Sequence, residues 1–173
     1  MASYYYLISS LPMLSADGGM PFSYADFLKM CQSNVSEETY KLLEGLTLSS
    51  DKGPLLEEWG AFYRSLSREL SLQRSTKLGK PYTAVFDKEP ASAAVVSAAV
   101  GAKDPLTAER ILLDYEFDQL DMMVGLHSFD DDVLFGYALK LKLLERVCSF
   151  EKEKGKKEFN DILKDLEDQV TSL

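Results

Sequence analysis

The sequence predicts an all-α fold, a bundle of about seven helices. Apolar residues recur at three- and four-residue spacing in the long segments, prolines stand where helices would begin, and no segment of any length alternates as a half-buried strand does. With 173 residues, 46% hydrophobic and 27% charged, the chain can bury one core. We therefore expect a single all-α domain over 1–173, within which 1–81 and 104–173 can form two lobes joined by 82–103.

The opening run, residues 3–12, predicts a helix once the rest of the chain is assigned as helical. Its residues at helical spacing should then face the core: Tyr4, Leu7, Ile8 and Leu11. Three adjacent tyrosines cannot share one helical face, so we expect Tyr5 to lie against a second helix. The run lacks the basic flank of a secretory signal, and nowhere do 18 apolar residues run together, so we expect no targeting segment and no membrane span.

Capping residues and prolines predict the next three helices. Ser23 should cap a helix over 24–32, with Phe22 and Phe27 placed as a hydrophobic staple. Ser36 should start a short helix over about 37–46. The first long helix should cover 54–78 because a proline suits its first position and Gly-Lys-Pro follows its end.

The second half of the chain predicts an irregular segment and four further helices. Residues 82–86 should be extended or irregular, and a short helix should follow Pro90. A helix beginning at Pro105 after the cap Asp104 should reach about Val124, where a glycine can end it.

Asp130 should cap a helix over about 131–154 that is apolar around most of its circumference and therefore belongs in the centre of the bundle. Its narrow polar strip contains Lys142, Glu145, Arg146, Ser149 and Glu153. A last helix over about 156–170 should pack on the rest through its apolar side, which carries Phe159, Ile162, Leu163, Leu166 and Val170.

Few residues suggest chemistry. Cys31 and Cys148 stand among apolar residues and predict two reduced, buried thiols, as suits the cytoplasm. His127 is the single histidine, and its place between two helices predicts a surface or capping residue, without the second histidine that most zinc sites need. Asp130 and the two aspartates after it predict a helix start rather than a metal site. No phosphate loop or calcium loop is present, so we expect no enzyme activity and no cofactor.

Charge is distributed unevenly. The formal net charge of −9 repels phosphate backbones and predicts that nucleic acid is not a partner. Seven acidic and no basic residues lie between Arg110 and Lys140, whereas 59–86 is basic. The candidate partner contacts are Asp114, Asp118 and Asp121 on the acidic side and Arg64 and Arg68 on the basic side. These two faces either dock on one another within the bundle or orient partner subunits.

Five stretches resemble a bacterial family of formally unknown function that is encoded beside V-type ATP synthase subunits. They are YYYLISSLP at 4–12, PFSYADF at 21–27, FDQLD at 117–121, LKLKLLER at 139–146 and EKEKG at 151–155. That family looks like the counterpart of the socket subunit of V/A-type ATPases, the helical protein that lies between the central stalk and the membrane ring. The chain departs from it in being short and in lacking a convincing internal repeat.

The resemblance implies a non-catalytic helical socket that is cytoplasmic and is held at the membrane through the complex. Its partners would be other V-type ATP synthase subunits, those of the central stalk and of the membrane ring. No site residues transfer, because the resemblance includes no residue-level contact motif. The alternative is a stand-alone helical adaptor or regulatory protein that binds one protein partner through the acidic 114–132 region.

Overall fold

A computed structural model describes residues 4–80, 90–149, 155, 156 and 159–164. Within that part of the chain there are helices and no strands, which confirms the all-α fold. Seven helices follow one another: α1 (Tyr5–Ser10), α2 (Tyr24–Gln32), α3 (Glu37–Glu44), α4 (Pro54–Lys77), α5 (Pro90–Gly101), α6 (Pro105–Val124) and α7 (Asp131–Cys148). Residues 155, 156 and 159–164 are helical as well.

The predicted helix starts are confirmed by their hydrogen bonds. Four caps accept a bond from the backbone N–H three residues on: Ser23 from Asp26, Ser36 from Thr39, Asp104 from Thr107 and Asp130 from Val133. Pro54 and Pro105 open α4 and α6, where a missing N–H removes no helical bond. Gly125 ends α6 with a φ of 54°, a backbone conformation that side chains with a Cβ rarely adopt.

Helix α7 is central, as its apolar circumference predicts. It contacts α2, α3, α4 and α6, while α5 packs on α4 and α6. Its buried residues are Leu134, Phe135, Gly136, Ala138, Leu139, Leu141, Leu143 and Leu144. The apolar ones among them belong to one hydrophobic cluster that includes buried residues of every other numbered helix. This shared core fixes the helices relative to one another. The single-domain organisation stays a prediction for the whole chain, since 81–89 and most of 150–173 lie outside the described residues.

The opening helix is confirmed, with one correction. Tyr4 and Leu7 are buried, and Ile8 and Leu11 are partly buried against the core. The ring of Tyr5, however, does not pack on a second helix. It lies 4.8 Å from the ring of Phe129, in the connection between α6 and α7, and 52% of Tyr5 is exposed. The connection between α6 and α7 is held next to the start of α1, because the backbone N–H of Tyr4 donates to the carbonyl of Phe129.

The end of α7 differs from the prediction. The helix ends at Cys148 rather than near residue 154, and 150–154 lies outside the described residues. At this end the Ser149 hydroxyl donates to the carbonyl of Arg146, and such a local bond competes with continued helix. The prediction of two buried thiols is therefore half wrong: Cys31 is buried, but Cys148 is exposed in the last turn of α7.

The predicted packing of the last helix is also wrong for the part that is described. Phe159, Ile162 and Leu163 are 60%, 59% and 41% exposed. Among the described residues, these three belong neither to the core cluster nor to the partly buried side chains packed against it. The expectation for residues 82–86 lies outside the described residues.

Candidate interaction surface

An acidic surface runs along α6. Asp114, Asp118 and Asp121 are all exposed and share one helix face at spacings of four and three residues. Asp17, from the segment after α1, approaches this face. Partial burial and the charges of Asp17 and Asp118 raise the pKa of Asp114, against the opposing effect of Arg110. The carboxylates here repel one another, so a cation brought by another molecule would be stabilised.

Within this surface Asp121 differs from its neighbours because it has a basic partner. Lys140 of α7 donates to its carboxylate at 2.6 Å, and the ammonium also lies 5.1 Å from the centroid of the Phe117 ring. Only 13% of the Lys140 side chain is exposed, so its charge is directed at Asp121. No ion pair in the described part of the chain includes Asp114 or Asp118.

The basic side is separate. Arg64 and Arg68 are exposed on α4, and neither forms an ion pair with any described residue. The acidic face of α6 and these two arginines therefore do not dock on one another through ion pairs in the described bundle. The other interpretation left open by the sequence, in which the charged faces orient partner subunits, stays a prediction.

A largely apolar groove of about 390 Å³ lies beside the acidic surface. Helices α1, α6 and α7 and residues 11–14 form its walls, which include Ile8, Leu11, Met13, Val124 and Val133. Asp121 and Lys140 stand at one side of it. Tyr137 holds residues 11–14 in place, since its hydroxyl donates to the carbonyl of Pro12 at 3.0 Å.

An interior ion pair links α6 and α7 and was not predicted from the sequence. Arg146 donates to Glu116 at 3.0 and 2.5 Å and also binds Glu109. The sequence analysis placed Arg146 in the narrow polar strip of α7 and left Glu116 out of the acidic face, and Glu116 is 2% exposed. Burial raises the pKa of Glu116, and the bonds from Arg146 oppose that shift. A signal was present: Glu116 stands three residues after Leu113 and directly before Phe117, at the edge of the apolar stripe.

His127 is a surface residue at a helix start, as predicted. Its Nδ1 lies 2.5 Å from Oδ2 of Asp130, which also caps α7, and its Nε2 lies 3.8 Å from Asp132. The hydrogen bond and the charge of Asp130 raise the pKa of His127. Asp131 is directed elsewhere, since its carboxylate accepts from the Thr39 hydroxyl. The three aspartates thus serve the helix start and its neighbours.

The described residues include neither a metal-binding cluster nor a membrane-spanning helix. They contain no group of three or more His, Cys, Asp or Glu side chains arranged to hold a metal ion. None of the described helices has the length and apolarity needed to cross a membrane. The candidate interaction surface therefore consists of the acidic face of α6 and the apolar groove beside it.

Comparison with known proteins gives one partial match. No curated protein and no solved structure matches the chain. Residues 95–170 match the model of a family described as "Protein of unknown function (DUF2764)". The expected resemblance to a family of unknown function is thus confirmed over these residues, whereas its link to the stalk-to-ring socket of V-type ATP synthases stays a prediction. From α5 to beyond α7, this chain is similar to the DUF2764 family, whose description states no function.

Proposed function

We propose that this protein is a non-catalytic subunit of a V-type ATP synthase or ATPase that couples the central stalk to the membrane rotor ring during proton or sodium transport. The observation that carries the proposal is the resemblance of residues 4–12, 117–121 and 139–146 to the family encoded beside such subunits. These three stretches adjoin in the fold, because Pro12, Asp121 and Lys140 all line the apolar groove.

The physical properties of the bundle support a coupling role. Helix α7 is enclosed by four other helices, and tightly packed cores transmit strain because they compress little. The ion pair between Arg146 and Glu116 ties α6 to α7 within that core. Exposed carboxylates and arginines on separate faces suit contacts with two different neighbours.

Affinity purification tests the proposal. The tagged protein, expressed at its native level and extracted gently with membranes, should recover the catalytic and stalk subunits of the ATP synthase. A tagged cytosolic protein of similar size and charge is the control for nonspecific recovery. Repeated absence of those subunits, with the tagged protein intact, would count decisively against membership of the complex.

The second candidate is a stand-alone adaptor or regulator that binds one protein partner through the acidic face of α6. The absence of any ion pair to Asp114 and Asp118 in the described chain favours it. Recovery of one unrelated partner without ATP synthase subunits would distinguish it. Reversing both charges, as Asp114→Lys with Asp118→Lys, should then abolish recovery of that partner without lowering the Tm.

A further inference from the structure

We infer that the apolar groove between α1, α6 and α7, together with the carboxylates on α6, binds a basic amphipathic helix of a protein partner. The groove would take large apolar side chains of that helix, and the carboxylates would bind its lysines or arginines. This inference rests on the binding role shared by both functions proposed above, and it names the surface and the chemistry of the partner.

The apolar part of the site is a surface groove, not a packing defect of the core. Ile8 and Leu11 are only partly buried, and Met13 is almost fully exposed at its edge. The groove has a volume of about 390 Å³, which is typical of a small binding pocket and large enough for one or two leucine-sized side chains. Val124 lines both this groove and a neighbouring surface pocket that includes exposed Leu126, in the connection after α6.

The charge at the site selects a basic occupant. Lys140 is the one basic residue among the described residues that line the groove, and Asp121 neutralises it. Asp114 and Asp118 continue the acidic face away from the groove, and Asp17 is close enough to raise the pKa of Asp114. No described cation forms an ion pair with Asp114 or Asp118, although the charge of Arg110 acts on Asp114. A partner's lysine or arginine could therefore bind these carboxylates without first displacing an internal ion pair.

The spacing of the carboxylates fits a helix. Asp114, Asp118 and Asp121 lie along α6 over two turns, which is about 10 Å. A second helix that carries basic residues at the same three- and four-residue spacing can lie beside them while its apolar face turns into the groove. A second copy of this chain fits poorly, since two proteins of net charge −9 repel each other and would present more carboxylates.

A peptide titration tests the inference. The probe is a labelled synthetic helix of leucine and lysine with its leucines along one face, and the readout is fluorescence anisotropy at low and high salt. Two control peptides separate the contributions: one replaces every lysine by glutamate, and the other replaces every leucine by serine. The intact protein should bind the first peptide more tightly than both controls, and added salt should weaken that binding.

A matched pair of variants places the binding on this surface. Asp114→Asn with Asp118→Asn removes two exposed charges and should weaken binding of the leucine and lysine peptide about fivefold. Glu57→Gln with Glu58→Gln changes the net charge equally on exposed α4 positions and should leave the affinity unchanged. Thermal melting confirms that both variants are folded, which is expected because all four side chains are exposed.

Three outcomes would overturn the inference: no binding of the basic peptide, equal binding of the peptide without leucines, or equal weakening by the two double variants. Failure here is distinguishable from failure of the proposed ATP synthase role, since the purification uses the unaltered protein and detects subunits bound through any surface. Recovery of ATP synthase subunits without peptide binding would reject the groove alone.

Discussion

Arg146 of α7 binds the buried carboxylate of Glu116 of α6 with two guanidinium nitrogens, at 3.0 and 2.5 Å. The pair lies between the two longest helices of the second half of the chain, and Glu109 binds the same arginine from one side. Bonds and charges from Glu116 and Glu109 raise the pKa of Arg146 in spite of its burial. The contact therefore fixes α6 against α7 through paired hydrogen bonds inside the bundle.

Arg146→Ala should lower the free energy of unfolding by about 3 kcal/mol, because it leaves the Glu116 carboxylate buried without a cation. Urea unfolding followed by circular dichroism measures the loss. The double variant Arg146→Met with Glu116→Leu should recover most of it, since apolar side chains of similar size need no partner. A double variant as unstable as Arg146→Ala would show that packing, not the lone charge, is responsible.

Gly136→Ala should destabilise the protein although alanine favours a helix over glycine by about 1 kcal/mol. A Cβ at Gly136 would lie 2.5 Å from Cγ2 of Val124, at the contact between α7 and α6. Relieving that overlap costs about 1 to 3 kcal/mol. Gly101→Ala in α5 is the matched control, because no described atom beyond its chain neighbours and its own helix backbone lies within 4 Å of its Cβ position. This variant should leave stability unchanged or raise it. Thermal melting of both variants decides the point.

His127 should titrate with a pKa above its ordinary value of 6.5 because Asp130 stabilises the imidazolium. As the only histidine, it gives one set of ring signals to follow by NMR against pH. Asp130→Asn should bring the pKa back toward 6.5 while the asparagine still caps α7. Asp132→Asn should matter less, since Asp132 is the more distant carboxylate at 3.8 Å.

His127 should also make the stability of the folded protein fall as the pH rises. A raised pKa in the folded state means that the His127 contribution is present below pH 6.5 and is lost as the pH rises through the folded pKa. His127→Gln should therefore reduce stability below pH 6.5 and have little effect at alkaline pH. An equal loss at both ends of the range would contradict the assignment to the charged pair.

Asp114 should contribute a fall in stability as the pH rises. Its pKa is raised above 3.8 in the folded protein by partial burial and by Asp17 and Asp118, so the folded state keeps the proton to a higher pH than the unfolded chain. The contribution is favourable below 3.8 and is lost as the pH rises through the folded pKa. Urea unfolding of Asp114→Asn across this range should show a smaller fall than the parent protein. A steeper fall in the variant would contradict the sign.

The two thiols should react at very different rates. Cys148 is exposed, whereas Cys31 is fully buried and burial raises its pKa to about 12. A thiol reagent should label one cysteine rapidly in the native protein and the second only after denaturation. Cys148→Ser should remove the rapid phase, and its persistence in that variant would show that Cys31 becomes accessible through opening of the core.

Local sequence was sufficient to locate the starts of four helices. Ser23, Ser36, Asp104 and Asp130 cap their helices as predicted, because a cap bonds to the backbone three residues away and needs no distant partner. The apolar circumference of α7 likewise determined its central place, since no other arrangement buries so many faces.

Several features depend on contacts between segments that are distant in the sequence, and these follow only from the packing of the helices. This packing placed Glu116 inside beside Arg146, left Cys148 exposed, and brought residues 11–14 to Tyr137 to form the groove next to Asp121. Periodicity assigns a side chain to one face of its own helix, but it does not identify the residue of another helix that will lie against that face. Whether a polar residue is solvated or paired depends on that opposite element, and so on the packing of the whole bundle.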